Sequence, residues 1–507
     1  MHSGKITIDG AYRISEIDPR LRGGFVEHLG RAIYGGIYEP DHPTADEMGF
    51  RRDVLDLVRE LGVSIVRYPG GNFVSGYDWE DGVGPVDARP RRLDLAWRST
   101  ETNRVGTNEF AEWARRAGAE LMLTVNLGTR GIDDARRLLE YCNHRRGSQL
   151  SDLRIAHGVR EPHGIRIWCL GNEMDGLWQL GHKTPDEYGR LACQTAIAMK
   201  WLDPSIELVA CGSSDRSMST FPAWEAVVLD HTYEYVDYIS LHTHYGSRGS
   251  DDDTGTYLAR SLEMDQYIRA VAATCDHIRA RKRTRKEMKL AFDEWNVWHH
   301  STVRDEALGA WPVAPPMEEE RYTVADALVV GLMLITLLRH ADRIKIACLA
   351  QLVNAIAPIR TVTGGAAWRL PTYYPVRDVY RLGQGVVLEV QSSSPGYDNA
   401  EYGVVPFLEA TATLDEEREQ VVVFAVNRSQ DAPLAIEGDL RSLDGYQLRE
   451  QTALAHADPP AVNTADRPDA AVPRPVEGAT LEQGRLRAVL PPLSWNVLRL
   501  SARQPNG

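Results

Sequence analysis

The run Ile165-Arg166-Ile167-Trp168-Cys169-Leu170-Gly171-Asn172-Glu173 decides the fold. Residues 165–170 read as a short strand that leads straight into a glycine, an amide and an acid. A helix is expected to follow from Pro185, a favoured first-turn residue behind Thr184 as N-cap. The same unit recurs on both sides. Downstream come strands at 206–211, at 236–241 (entering His242-Thr243-His244-Tyr245-Gly246), at 289–292 (entering Asp293-Glu294-Trp295-Asn296) and at 344–349. Helices are expected at 257–282 and 322–339. Upstream, strands at 23–27, 63–68 and 120–127 alternate with helices at 46–61, from 107, and at 133–146. The second of these strands ends at the turn Pro69-Gly70-Gly71-Asn72.

Eight β/α units in one stretch predict a parallel α/β fold closed as a (β/α)8 TIM barrel. Active sites of such barrels lie at the carboxyl ends of the strands. Here those ends carry Glu27, Asn72, Asn126, Asn172, Glu173, His242, Tyr245, Glu294 and Gln351, a ring of hydrogen-bonding groups suited to a hydroxyl-rich ligand. Beyond residue 382 the pattern changes to short strands at 386–391, 409–414, 420–427, 435–437 and 493–500, with a Pro/Ala/Asp-rich loop at 455–479. These predict a β-sandwich of jelly-roll type, joined by the strand-like segments at 5–8 and 12–14. The expected division is residues 1–17 and 383–507 in the sandwich and 18–382 in the catalytic barrel.

Composition narrows the function. The 507-residue chain has a net charge of −14, which argues against nucleic acid or an anionic membrane as partner. The start, MHSGKITIDG, has no apolar signal core, and the richest apolar stretch, 327–338, is too short to span a bilayer. The six cysteines include no CxxC pair and read as free thiols, so a cytoplasmic protein is expected. His244 and the pair His299-His300 match no zinc spacing, and no metal or cofactor is expected.

Retaining hydrolysis of a glycosidic bond needs two carboxyl groups about 5–5.5 Å apart, one a nucleophile and one an acid/base. Glu173 and Glu294, at the ends of the fourth and seventh strands, are the candidates. Gly171-Asn172-Glu173-Met174-Asp175-Gly176 and Phe292-Asp293-Glu294-Trp295-Asn296-Val297-Trp298 resemble the two signature segments of glycoside hydrolase family 51. The resemblance extends through Arg67-Tyr68-Pro69-Gly70-Gly71-Asn72-Phe73, residues 95–103, residues 349–354 and residues 490–496, nearly the whole chain.

That resemblance implies an exo-acting α-L-arabinofuranosidase, with Glu173 as acid/base and Glu294 as nucleophile. Its substrates would be arabinose-containing oligosaccharides. The family also includes β-xylosidases and endo-β-glucanases, and a non-catalytic carbohydrate-binding protein is the alternative of another class. Carried over, it places Glu27, Asn72, Trp97, Asn172, Tyr245 and Gln351 around the sugar, with Tyr245 donating to the nucleophile. Trp178, Trp298 and Trp311 would shape the leaving-group side. A homo-oligomer, a hexamer, is implied as well. One departure is visible: members commonly have a second aromatic two residues after the histidine and an asparagine after the glycine, where this chain has His244 and Ser247.

Overall fold

The computed structural model describes residues 1–246, 253–300, 311–458 and 460–502. Eight parallel strands close into a barrel. They are Gly23–Phe25, Ile65–Tyr68, Glu120–Val125, Ile167–Leu170, Glu207–Ala210, Tyr238–Tyr245, Lys289–Val297 and Ile344–Ala350. They follow chain order around the wall, and the eighth returns to the first through Cys348 beside Gly23 and Leu349 beside Gly24. Helices Arg52–Leu61, Thr107–Ala117, Ile132–Asn143, Pro185–Leu202, Ala223–Thr232, Ser261–Lys282, Val324–Arg339 and Tyr373–Leu382 form the outer layer. Alternate strand residues point inward, and Phe25, Ile65, Met122, Ile167, Cys169, Val209, Tyr238, Ala291, Ile346 and Cys348 fill the interior. The barrel is therefore plugged by apolar side chains, and polar groups collect only above that plug.

Three expected elements differ in extent. The helix expected at 46–61 begins only at Arg52. Before it, the Asp46 carboxylate accepts from the Met48 and Phe50 backbone N–H groups, at 2.9 Å each, and holds a turn that competes with helix. The sixth strand continues to Tyr245 and the seventh to Val297, so Asp293 to Asn296 lie within a strand rather than in a loop after it. An eight-residue helix, Gln149–Ala156, precedes the fourth strand; its Ser148 cap accepts from Ser151.

Ten of the remaining strands form one sheet, and the other six pair into three two-stranded ribbons. The long N-terminal strand His2–Glu16 lies inside it, antiparallel to Val386–Ser393 and parallel to Leu434–Asp439. Tyr446–Leu454 and Arg485–Leu490 also belong to it and were not foreseen. The second of these alternates exposed and buried residues along its length, a legible period-2 signal.

The apolar stretch 327–338 sits in the helix Val324–Arg339, where every residue from Ala327 to Leu338 is buried. One face packs on the barrel, and the other meets the sheet. A Cβ on Gly331 would lie 2.5 Å from the Trp495 ring, and Trp495 Nε1 donates to Asp378 Oδ2 at 3.1 Å. A helix apolar all round is thus explained by burial on two sides. No described helix is long and apolar enough to cross a membrane. The six cysteines are free thiols, as expected.

Candidate active site

The acid at the end of the fourth strand follows Gly171, whose φ is +90°, and itself has a φ of +43°. A left-handed backbone at a non-glycine residue costs about 1–3 kcal/mol and persists where the surroundings impose it. Glu173 is held from both sides. Its Oε2 accepts from Trp178 Nε1 at 2.8 Å, and its Oε1 lies 3.1 Å from His242 Nδ1.

The seventh strand solves a harder geometric problem, since Asp293 and Glu294 both face the interior. Between Ala291 and Glu294 the strand advances three residues while its sixth-strand partner advances two, from Ser240 to His242. The eighth strand registers the same extra residue, from Ala347 to Leu349 against Phe292 to Trp295. This is a β-bulge, and it re-aims one side chain so that two consecutive acids point inward.

Arg67, 1% exposed, organises those acids. Its NH1 donates to Glu294 Oε1 at 2.5 Å and its NH2 to Asn172 Oδ1 at 2.8 Å, while Nε lies 3.0 Å from Asp293 Oδ2. One planar guanidinium thereby fixes the nucleophile candidate, a neighbouring acid and the amide before Glu173. With its Oδ1 engaged, Asn172 keeps Nδ2 buried and without a protein partner. Gln351 repeats the arrangement: Oε1 accepts from the Glu27 backbone N–H at 2.9 Å, and Nε2 has no protein partner.

Glu27 is buried beneath the glycine turn. Its Oε1 accepts from the Phe73 backbone N–H at 2.9 Å and from Trp97 Nε1 at 2.7 Å. Burial pushes this carboxyl well above the usual range and the Glu294 charge adds to the effect, against the Phe73 hydrogen bond. Gly71, with φ +61°, is required here, because a Cβ would fall 2.1 Å from the Glu27 carboxyl.

The electrostatics belong to a cluster rather than to single residues. Burial opposes a charge on His242, but Glu294, Asp293 and Glu173 around it prevail and push it up to about 10. Burial would raise Asp293, yet the Arg67 charge and the His242 hydrogen bond hold it below the usual carboxylate range. Glu173 is likewise raised by burial, but the His242 hydrogen bond and charge and the Trp178 hydrogen bond together hold it below the usual carboxylate range. Glu294 is raised by burial, and the His242 and Arg67 charges, countered in part by Glu173 and Asp293, do not bring it back to the usual range. The resting proton therefore sits on His242, one hydrogen bond from Glu173. Glu173, His242 and Glu294 bring potential metal-ligating atoms within 4.8 Å of one another. A protonated imidazole and a guanidinium already supply positive charge there, and a cation would have to displace both.

An inner recess is lined by Glu27, Asn72, Trp97, Glu173, His244, Glu294, Trp298 and Gln351. It opens to an outer cleft of about 530 Å³ lined by Trp178, Ser214, Asp215, Trp298, His300 and Glu318. Glu173, Asn72, Trp97, His244 and Trp298 border both spaces.

Most residues expected around the sugar are thus brought together, and two are not. Tyr245 does not reach Glu294. Strand pairing sets Tyr245 beside Val297 and His242 beside Glu294, so period-2 alternation turns Tyr245 to the other face, with Thr243, Glu263 and Asp215 as its polar neighbours. His244, two residues from His242, is the cavity residue instead; burial pulls its imidazole down to about 4, so it is neutral. Trp311 lines neither space; its carbonyl accepts from Thr100 Oγ1 at 2.7 Å. Ser247 lies outside the described residues. Asn126 holds its own turn, accepting from the Gly128 and Thr129 N–H groups at 3.0 Å each.

A closed (β/α)8 barrel with paired glutamates at the ends of its fourth and seventh strands defines a barrel glycoside hydrolase. Residues 57–288 match the α-L-arabinofuranosidase 1 domain and residues 293–494 the α-L-arabinofuranosidase C-terminal domain. The chain belongs to glycoside hydrolase family 51, the α-L-arabinofuranosidases. It is 57% identical to an intracellular exo-α-(1→5)-L-arabinofuranosidase of Halalkalibacterium halodurans, over 98% of this chain and 99% of that one. It is 55% identical to an intracellular exo-α-(1→5)-L-arabinofuranosidase of Bacillus subtilis, over 99% of each. A solved family 51 α-L-arabinofuranosidase from Bifidobacterium longum superimposes with a TM-score of 0.95 at 44% identity, covering 99% of this chain and 100% of that one.

Sequence reading passed over Arg67 and His244 as site residues. Arg67 shares the inward parity of Ile65, and His244 that of His242, so a strict alternation count would have found both.

Proposed function

We propose that this chain, an exo-α-L-arabinofuranosidase of retaining type, works by double displacement with Glu294 as nucleophile and Glu173 as acid/base. One observation carries the assignment: carboxylate oxygens of Glu173 and Glu294 lie within 4.8 Å, the close spacing of retaining enzymes rather than the roughly 6.5–9.5 Å that leaves room for water. Glu294 attacks the anomeric carbon, its charge steadied by Arg67 at 2.5 Å. Glu173 takes the proton held by His242 across 3.1 Å, passes it to the leaving oxygen and is left as a carboxylate. Water then enters, Glu173 accepts its proton, and the glycosyl–Glu294 ester is hydrolysed.

The unpartnered amide of Asn172 supplies a donor for a sugar hydroxyl whose hydrogen bond strengthens as the ring becomes oxocarbenium-like. Gln351 Nε2 and the free oxygen of Glu27 serve the remaining hydroxyls. Trp178 and Trp298 offer apolar faces to the leaving group in the outer cleft. Terminal α-(1→5)-linked arabinofuranosyl units of imported oligosaccharides are the proposed substrates, and the cytoplasm the working compartment; the names of the two bacterial relatives support both. A homo-oligomer is proposed from the family resemblance, and the solution mass by light scattering tests it.

The mechanism is tested by following the first-formed anomer by NMR. Retained configuration is expected, and inversion refutes the roles. Glu294→Gln should abolish turnover. Glu173→Ala should keep activity on aryl glycosides with good leaving groups and recover with azide; equal loss on all substrates without rescue counts against it.

A further inference from the structure

The loop after the fourth strand carries more than the acid. Trp178 and Gln179 are chain neighbours that grip opposite sides of the site. Trp178 donates to Glu173 Oε2 at 2.8 Å. The Gln179 side chain, 3% exposed, crosses instead to the loop after the second strand. There its Nε2 donates to Asn72 Oδ1 at 2.5 Å, and its Oε1 accepts from Ser75 Oγ at 2.7 Å. Because the Gln179 carbonyl is turned to the serine hydroxyl, only N–H is left for Asn72. With its carbonyl engaged, Asn72 keeps its amide N–H end for the recess that it lines.

The anchor is stiff at both ends. Ser75 is 1% exposed, and its carbonyl accepts from the Thr129 N–H at 3.2 Å and from Thr129 Oγ1 at 2.9 Å. The Gln179 backbone N–H donates to Gly176 O at 3.0 Å, and its carbonyl accepts from the His182 N–H at 3.2 Å. Gly181 presses on the third-strand loop so closely that a Cβ would lie 2.3 Å from Gly128 O. Three barrel loops therefore meet around one buried amide.

We propose that Gln179 is a positioning residue that sets the amide polarity of Asn72 toward the glycone, with Ser75 acting only through Gln179. This rests on the reading of Asn72 as a glycone contact. The test compares kcat/KM on 4-nitrophenyl and methyl α-L-arabinofuranosides, alongside Tm, for Asn72→Ala, Gln179→Met, Gln179→Glu, Ser75→Ala and the Ser75→Ala/Gln179→Met double variant.

Gln179→Met should lose about tenfold in kcat/KM, the worth of one hydrogen bond to a buried group. The loss should be equal on the two substrates, because the glycone side is affected and not proton delivery. Gln179→Glu, which can accept from Ser75 but has no N–H for Asn72, should be as poor as Gln179→Met. Ser75→Ala should lose less, and the double variant no more than Gln179→Met alone. Wild-type kcat/KM in Gln179→Met beside a defective Asn72→Ala overturns the proposal. So do additive losses in the double variant, or a greater loss on the methyl glycoside, which would put the role on Glu173. If Gln179→Met does not fold, wild-type kcat/KM in a folded Gln179→Glu overturns it equally. If Asn72→Ala costs nothing, the glycone reading of Asn72 fails first and takes the inference with it.

Discussion

Replacing Arg67 by Met keeps side-chain bulk and removes the guanidinium that contacts Asp293 at 3.0 Å, Glu294 at 2.5 Å and Asn172 at 2.8 Å. Two consequences follow. Asp293 and Glu294, 1% and 6% exposed, lose their permanent cation, and breaking a buried pair in this way costs about 3–5 kcal/mol of stability. The Arg67 charge holds the Glu294 carboxyl down, so the Glu294 pKa rises in its absence. The nucleophile must be ionised, and the rate falls as pH falls through this pKa. The acid limb of kcat/KM should therefore move to higher pH, with about a tenfold loss of rate below it for each pH unit moved. The assay is kcat/KM for 4-nitrophenyl α-L-arabinofuranoside across pH, with urea unfolding in parallel. Adding Asp293→Asn should restore part of the stability, because the orphaned charge leaves with its partner. An unchanged acid limb, or a double variant less stable than Arg67→Met, would refute the assignment of Arg67 as the cation that keeps Glu294 ionised.

Asp293→Asn alone removes one of the three negative groups that push His242 up to about 10. The proton shared with Glu173 is then lost at lower pH, so the alkaline limb of kcat/KM should move down, and the acid limb should move down with it because the Asp293 charge no longer raises Glu294. Gly71→Ala sets a methyl 2.1 Å from the Glu27 carboxyl on a backbone of φ +61°. It should cost about 1–3 kcal/mol and raise KM, read from initial rates. Trp495→Ala empties the contact with Gly331 where the sheet packs on the apolar helix. It should cost about 3–5 kcal/mol in urea unfolding with kcat unchanged, since this interface touches no cavity residue.

What could be read from the chain alone was whatever depends on local period. Eight strand-to-polar transitions, a glycine pair before Asn72 and a two-sided apolar helix are features of neighbouring residues, and they led to the barrel and to Glu173 and Glu294. The edges were less legible. Asp46 broke an expected helix through a side-chain hydrogen bond, and the seventh strand outran its expected end. The functional details were decided by partners far apart in sequence. Whether Asp293 and Glu294 both face inward depends on an extra residue in one strand, which has meaning only against the register of the strands beside it. Arg67 finds Glu294 across 227 residues, and Gln179 finds Asn72 across 107. His244 rather than Tyr245 faces the recess because the sixth strand continues past Leu241 and keeps its alternation. Local periodicity specifies which side chains share a face; closing the barrel decides which of those faces meet.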